Sequence, residues 1–442
     1  MTRFVENHIS PEMVALWLLE LVLSFSLAYI LLSTGSVAAG VQPPVVNHAL
    51  VLALTSGFTA FAIGLYRPEG FRRMRGLLLN TALGGVLAFP AVWLVSKALG
   101  IGANQWIGPD ALWPLKVGAV WIAALFATRL LFLAAVRSNL LVRPIALLGT
   151  ASAMATTIAA IRGGHEGFFE VVVGPVANAG PATLRAAGIR DAVLPRSVLL
   201  AMSPREQASY AAHRVTLATE AQFWERSLKR VDVSSIDPAW IADLDAPRWR
   251  LSDLLSRTGD IVISLAFLVL TLPLMLLVAL AVRLSGPVLY RQERVGLGGR
   301  PFTLLKFRSM RVDAEARGPA WATQRDPRVT RVGSFLRRTR IDELPQLINV
   351  LQGTMSFIGP RPERPHFVEQ LSQAIPHYQE RARVKPGLTG WAQVNFPYGA
   401  SVEDARVKLS YDLYYVKHRG VLLDLAILFS TVRVILFQEG AR

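Results

Sequence analysis

Between Gly259 and Leu284 the chain carries an apolar run long enough to cross a bilayer as a helix, with Pro273 near its middle. Arg248, Arg250 and Arg257 precede it, and Arg283, Arg291 and Arg294 follow it. Positive charge favours the cytoplasmic side, so both ends prefer the same face of the membrane. Proline lacks an N–H and clashes with the preceding turn, so a helix is expected to break at Thr271-Leu272-Pro273. A re-entrant helix over 259–284, entering one leaflet and returning, satisfies both features. A full span would place everything after Ser285 outside the cell.

Four more apolar stretches fill the first third, roughly Met13–Leu32, Asn47–Tyr66, Leu77–Leu99 and Leu112–Val136. Each is about long enough to span a bilayer. The loop from Gly35 to Val46 has no Lys or Arg, whereas the next holds Arg67, Arg72, Arg73 and Arg75. The third, Gly100 to Trp113, carries Asp110 and no Lys or Arg, and Arg137 and Arg143 follow the fourth stretch. This pattern puts the N-terminus and everything after Val136 on the cytoplasmic side. Few polar groups interrupt these runs and none marks a transport path, so an anchor over 1–140 is expected. No basic region followed by a small-residue cleavage site opens the chain, so no cleaved signal peptide is expected.

Residues 141–245 read as a soluble α/β module. Ile145-Ala146-Leu147-Leu148-Gly149 is a buried-strand pattern followed by a helical stretch, Ala151–Ile161. Phe169–Val173 and Ala192–Leu194 read as further strands. The strand–Gly–helix opening resembles a Rossmann-like unit. However, Gly149-Thr150-Ala151-Ser152-Ala153-Met154 lacks the remaining glycines of a dinucleotide fingerprint, so the module is degenerate and no dinucleotide is expected there. Regulation, scaffolding and a homodimer contact are the roles left to it.

The rest of the chain, 246–442, is dense in basic residues and in Gly/Pro turns. Over the whole chain Lys and Arg exceed Asp and Glu by 47 − 31 = 16, which calls for an anionic partner: nucleic acid, anionic lipid or a phosphorylated substrate. The absence of Cys excludes disulfides, thiolate metal sites and Cys nucleophiles. Asp342-Glu343 stands directly behind Arg337-Arg338-Thr339-Arg340. Leu344, Leu347, Ile348 and Leu351 follow at helical spacing, with Pro345 tolerable in the first turn and Gly353 as C-cap. Taken alone, Asp342 reads as an N-cap and Glu343 as a first-turn acid. The final segment, Val416–Phe437, mixes apolar residues with Lys417, Arg419, Asp424 and Arg433, which suits an amphipathic segment in the membrane interface.

Several motifs then occur in a fixed order. They are Lys306-Phe307-Arg308-Ser309-Met310, Asp342-Glu343-Leu344-Pro345-Gln346, Gly359-Pro360-Arg361-Pro362-Glu363, and Lys385-Pro386-Gly387-Leu388-Thr389-Gly390-Trp391-Ala392-Gln393-Val394-Asn395. Together they resemble the bacterial sugar transferase family, monotopic-type phosphoglycosyl transferases acting on a polyprenyl phosphate. The likeness covers about Leu251 to the end. The anchor and middle module resemble its long form, and Asn395–Ser401 is similar to the subgroup found in exopolysaccharide gene clusters. Ile341 stands where Leu is frequent and Leu272 where Ser often precedes the Pro; neither change removes a reacting group.

The resemblance implies a membrane protein of α plus α/β class. Its parts would be four N-terminal transmembrane helices, a degenerate Rossmann-like module, and a mainly helical catalytic domain with a Pro-broken re-entrant helix, on the cytoplasmic face of the bacterial inner membrane. The implied reaction moves a phosphosugar from a UDP-sugar to undecaprenyl phosphate and releases UMP, initiating exopolysaccharide or O-antigen synthesis. Asp342 would be the nucleophile, with Glu343 assisting, and both would hold Mg²⁺. Lys306, Arg308, Arg337, Arg338 and Arg361 are candidates to hold phosphates, with the bidentate geometry of Arg suited to them. Glu363 and Arg364 would line the nucleotide pocket, while Trp391 and Gln393 read as core. The anionic partners are then the UDP-sugar, the lipid phosphate and inner-membrane lipids, not nucleic acid. UDP-glucose and UDP-galactose are the sugars expected by analogy. A nucleotide-sugar dehydratase or epimerase would need an intact fingerprint and a Tyr-x-x-x-Lys pair, and Tyr411–Tyr415 offers none. A decayed, non-catalytic export scaffold is the other alternative, against which the intact motifs speak.

Overall fold

The structure, a computed structural model, describes residues 11–436 except 40–44, 63–64, 67–73, 101–112, 139–141, 151, 153, 165–168, 175–179, 246–249, 285, 312–313, 315–325 and 397–400. Arg67, Arg72, Arg73, Asp110 and most of the Asn395–Ser401 motif therefore lie outside the described residues. The fold is mainly helical and divides into two compact units, Met1–Leu228 and Lys229–Arg442.

The first unit opens with α1 (Pro11–Ala39), α2 (Val45–Ala62), α3 (Met74–Ala98) and α4 (Trp113–Arg137). α1 packs on α2 and α4, and α3 packs on the same two, closing a bundle. Met13–Thr34 and Leu115–Ala135 are long and apolar enough to cross a membrane, whereas the apolar parts of α2 and α3, Val45–Phe61 and Gly84–Ala98, are shorter. Few polar groups were expected in the bundle, and two of those present form a buried pair. Glu20 and Arg129 are buried as an ion pair at 2.9 Å, 2% and 0% exposed.

Strands β1 (Arg143–Leu148), β2 (Phe169–Gly174), β3 (Asp191–Leu194) and β4 (Thr216–Thr219) follow. They form one parallel sheet in the order β2-β1-β3-β4. Alternate residues of β1 feed two cores, Ile145 and Leu147 against Met154 and Phe223, Ala146 and Leu148 against Leu184 and Tyr210. Side chains of a strand point alternately to opposite faces, so both faces of this sheet are covered. The helix after β1 starts at Ala155 rather than Ala151, and β4 lacked a sequence signal strong enough to identify it.

The second unit is built on α5 (Arg250–Arg283), an apolar helix whose span Asp253–Arg283 is long enough to cross a membrane. The expected break is absent as an interruption: Thr271, Leu272 and Pro273 all lie inside α5. Pro273 withholds one N–H from the ladder without ending the helix. Two segments of α5 touch the soluble part of the same unit. Phe267 meets Phe357 with tilted rings at 6.2 Å, while Val278 and Val282 pack on Phe307 and Leu336. Each such aliphatic side chain contributes about 1.5–3 kcal/mol when fully buried. Between those segments Val269 and Leu270 are 68% and 77% exposed.

Beyond α5 lie the antiparallel hairpin β5 (Leu289–Val295) and β6 (Pro301–Phe307), α6 (Arg331–Arg338), a 3₁₀ turn at Ile341–Glu343, and α7 (Gln346–Gln352). β7 (Ser356–Ile358) pairs in parallel with β8 (Gly387–Thr389), and α8 (Pro365–Ala374) lies between them in the chain. α9 (Val402–His418) and α10 (Val421–Leu436) close the unit. Their core gathers Trp391, Leu413, Tyr414, Leu423 and Ile427 with Val231, Trp240 and Leu244. α10 thus buries one face at Leu423 and Ile427 rather than lying wholly in an interface, while Val421, Leu422 and Leu425 remain over 40% exposed.

Candidate active site

α6 ends with Arg337 and Arg338, and the chain then reverses through Arg340, which holds a left-handed φ of 56°. A non-glycine residue there costs about 1–2 kcal/mol, so its surroundings must enforce it. The reversal lets Ile341 join the Val278–Val282–Leu336 cluster while the 3₁₀ turn carries Asp342 and Glu343. Pro345 takes the N-cap position of α7, with φ −61°, and Gly353 caps the far end at φ 82°. The N-cap expectation for Asp342 therefore fails, because Pro345 occupies that position and no side chain caps it.

α7 is fixed by a residue the sequence reading missed. Asn349 accepts from Leu305 N at 3.0 Å and donates to Thr303 O at 2.8 Å, so its amide ties α7 to β6. A signal was present: Asn349 lies three residues after Gln346, and both face the core.

The two carboxylates differ sharply in their surroundings. Glu343 Oε1 accepts from Lys306 Nζ at 3.2 Å and from Arg361 Nη2 at 2.9 Å, and Arg340 Nη1 lies 3.6 Å from Oε2. Burial alone would raise its carboxyl, but Lys306, Arg361 and Arg340 hold it well below the usual carboxylate range. Asp342 is 7% exposed, and among the described residues none donates a hydrogen bond to its carboxylate. Burial pushes Asp342 up to about 6, with Lys306 opposing and Glu343 adding to the rise. Half-buried Lys306 is itself lowered by desolvation, against the pull of Glu343.

Arg361 reaches Glu343 from the segment after β7, where backbones approach closely. A Cβ on Gly359 would meet Gly387 N at 2.9 Å and Lys385 O closer still, so the glycines of these motifs serve packing rather than binding. Arg381 donates to the Arg361 carbonyl at 2.9 Å, and the Asp412 carboxylate grips Arg381 at 2.7 and 3.0 Å. This pair was also missed. Arg361 and Glu363 line a cavity of about 650 Å³, with Gly296, Tyr378, Arg381 and Arg383 among its other walls. Glu363 lies 3.8 Å from Arg294, whose guanidinium is lowered to about 10 by burial.

The other candidates are dispersed. Arg337 is half-buried, and its charge opposes the rise of Asp342. Arg338 is exposed on α6. Arg308 donates to Pro287 O at 3.2 Å and stacks on Tyr290 at 5.7 Å, so it braces the base of the hairpin rather than Glu343. Arg364 precedes α8 and is not among the cavity walls. Trp391 is core, its indole donating to Lys229 O, and Gln393 donates to Leu388 O with its Oε1 buried and unbonded. Pro273 sits within α5, as described.

Among the described residues no cluster of three His, Asp or Glu side chains could hold a metal ion. Mg²⁺ needs less than that, since it keeps waters and takes one or two carboxylates beside substrate phosphates. An unpaired buried Asp342 carboxylate beside Glu343 suits that donor set, although Glu343 already faces three cations.

Residues 251–438 match the bacterial sugar transferase family. The chain is 47% identical over 190 residues to the UDP-N-acetylgalactosamine-undecaprenyl-phosphate N-acetylgalactosaminephosphotransferase of Aeromonas hydrophila, covering 42% of this chain and 45% of that protein. It is 47% identical over 192 residues to the UDP-glucose:undecaprenyl-phosphate glucose-1-phosphate transferase of Escherichia coli K12, covering 42% and 41%. It is 41% identical over 189 residues to the exopolysaccharide production protein PSS of Rhizobium leguminosarum bv. phaseoli, covering 40% of this chain and 93% of that protein. The match thus spans less than half of the first two relatives and nearly all of the third. Every site residue named above falls within it.

Proposed function

The chain belongs to the bacterial sugar transferase family, and from that premise we propose that it transfers a phosphosugar from a UDP-sugar to undecaprenyl phosphate through an aspartyl intermediate. The observation that carries this reading is the contrast within one turn: Glu343 is held by cations while buried Asp342 has no hydrogen-bond donor among the described residues. A desolvated, unpaired carboxylate of raised pKa is a stronger nucleophile once ionised.

An Asp342 carboxylate oxygen attacks the β-phosphorus of the UDP-sugar. The bond to the bridging oxygen breaks, and UMP departs with the electron pair. The acyl phosphate that results carries the sugar. A phosphate oxygen of the lipid then attacks the same phosphorus and expels Asp342 as carboxylate. Lys306, Arg337, Arg340 and Arg361 outnumber the two carboxylates, so the turn has positive charge to spare for a diphosphate. Mg²⁺ held by Asp342 and Glu343 would add charge neutralisation for the diphosphate. The cavity beside Arg361 is large enough for a nucleotide.

Re-entrance of α5 is part of the same proposal. Its beginning and its end both pack on one soluble unit, while the exposed apolar stretch lies between them. A full span would put those two contacts on opposite sides of a hydrocarbon core about 30 Å thick. The catalytic part would then sit on the cytoplasmic face of the inner membrane. A reporter fused after Ser285 should read cytoplasm, and a periplasmic signal would contradict this topology.

The activity is tested with purified protein in a membrane mimetic, undecaprenyl phosphate, Mg²⁺ and a panel including UDP-glucose, UDP-galactose and UDP-N-acetylgalactosamine. UMP release that requires Asp342 supports the reading; release unchanged in Asp342→Asn overturns it.

A further inference from the structure

Three polar side chains at the start of α5 have no part in the chemistry above, yet each grips a different element of the catalytic unit. Arg257 donates from Nη1 to Val350 O at 2.6 Å and from Nη2 to Leu351 O at 2.8 Å. These are last-turn carbonyls of α7, where a cation is favoured, and Val350 O also accepts from Gly353 N at 3.0 Å. Asp260, 7% exposed, accepts from Phe357 N at 2.7 Å and Ser356 Oγ at 3.0 Å, on β7. Ser256 donates to Asp424 on α10 at 3.0 Å, and Asp424 also accepts from Tyr415 at 2.9 Å.

The elements gripped are those next to the reacting groups. α7 follows the Asp342–Glu343 turn directly, and β7 leads into Arg361. Apolar contacts alone, such as those of Val278 and Val282, hold a helix but let it slide or roll at small cost. A bidentate guanidinium on two carbonyls and a carboxylate on a backbone N–H are directional, and they fix register and angle.

We propose that Arg257 and Asp260 are positioning residues that set the depth and angle of the apolar helix α5 relative to the Asp342 turn, so that the phosphate of a membrane-held acceptor meets the phosphorus on Asp342. This rests on the reading of the acceptor as a lipid phosphate. The clamp serves the lipid step and not the attack on the water-soluble donor.

The test uses the full chain in nanodiscs of phosphatidylethanolamine and phosphatidylglycerol. The chain has no Cys, so Leu270→Cys in the exposed part of α5 and Gln370→Cys on α8 give a clean spin-label pair. With Arg257 intact the distance distribution between the labels is narrow. Arg257→Ala broadens or shifts it, and Arg257→Lys, which still donates to carbonyls, restores most of it. In the same discs Arg257→Ala raises the KM for undecaprenyl phosphate about 10- to 100-fold. The UMP burst from UDP-glucose or UDP-N-acetylgalactosamine without lipid stays within about threefold of wild type. A distribution unchanged in Arg257→Ala overturns the proposal, and so does a burst that falls in parallel with the lipid step. Absence of a burst in the wild-type chain would count against the aspartyl reading instead, and the label distances would still decide on the clamp.

Discussion

Glu20 in the helical bundle and Asp342 in the catalytic unit are both buried acids with an arginine in the neighbourhood. Glu20 accepts from Tyr66 at 2.5 Å, from Thr128 at 2.9 Å and from Arg129 at 2.9 Å, and Arg129 also donates to Leu65 O and lies over the Tyr66 ring. Every acceptor site that matters is taken. Among the described residues Asp342 has no such donors, and Lys306, Arg361 and Arg340 are turned on Glu343. A saturated buried charge specifies structure: it pins helices whose residues lie more than 100 positions apart in the chain. An unsaturated one keeps its lone pairs for a reaction, at a cost in stability.

Four single substitutions, one double replacement and one titration press on this contrast. Asp342→Asn should reduce UMP release at least about 10⁴-fold, as removal of a nucleophile does, without lowering the thermal midpoint, since the amide is cheaper to bury. A lowered midpoint would mean that Asp342 is as structural as Glu20. Arg129→Ala should do the reverse, destabilising the bundle by about 3–5 kcal/mol through the stranded Glu20 charge. Replacing Glu20 and Arg129 together by Met should recover much of that loss; failure to recover would show that the pair does more than satisfy itself. Arg361→Ala removes a charged hydrogen bond from Glu343 and should cost about 10- to 100-fold in activity. Arg338→Ala, on the exposed face of α6, should change the rate less than about threefold.

The titration has a definite sign. Asp342 has a folded pKa near 6, raised above its ordinary value, so its contribution to stability is full in acid and is lost as pH rises toward 6. The wild-type midpoint should therefore fall relative to Asp342→Asn between about pH 4 and 6, while the UMP burst rises over the same window as the nucleophile ionises. Glu343 has the opposite sign, its stabilisation being lost only in stronger acid. Coincident curves for wild type and Asp342→Asn would remove the physical basis of the comparison.

Much of this was legible in the chain because it is local. Apolar length marked α1, α4 and α5, a short unbroken apolar run marked β1, and Gly353 announced the end of α7. The Lys306, Asp342–Glu343 and Arg361 motifs identified the groups that meet. What was hidden depends on distant pairing. Nothing near Glu20 points to Arg129, nor anything near Arg381 to Asp412, and Asn349 shows its role only against β6. Motif membership did not announce the contacts of Arg308, which donates to Pro287 O at the base of the hairpin. The N-cap expectation for Asp342 failed because Arg340 reverses the chain in a conformation that arginine seldom adopts.

The most direct measurement is the mass of the protein itself. Wild-type chain mixed with a UDP-sugar substrate and Mg²⁺, without lipid phosphate, is quenched, digested and analysed by mass spectrometry. The account predicts a phosphosugar adduct on the peptide containing Asp342, discharged by hydroxylamine or by added undecaprenyl phosphate, and absent from Asp342→Asn. An adduct carried by any other residue, or lipid-linked product formed at full rate by Asp342→Asn, would contradict it.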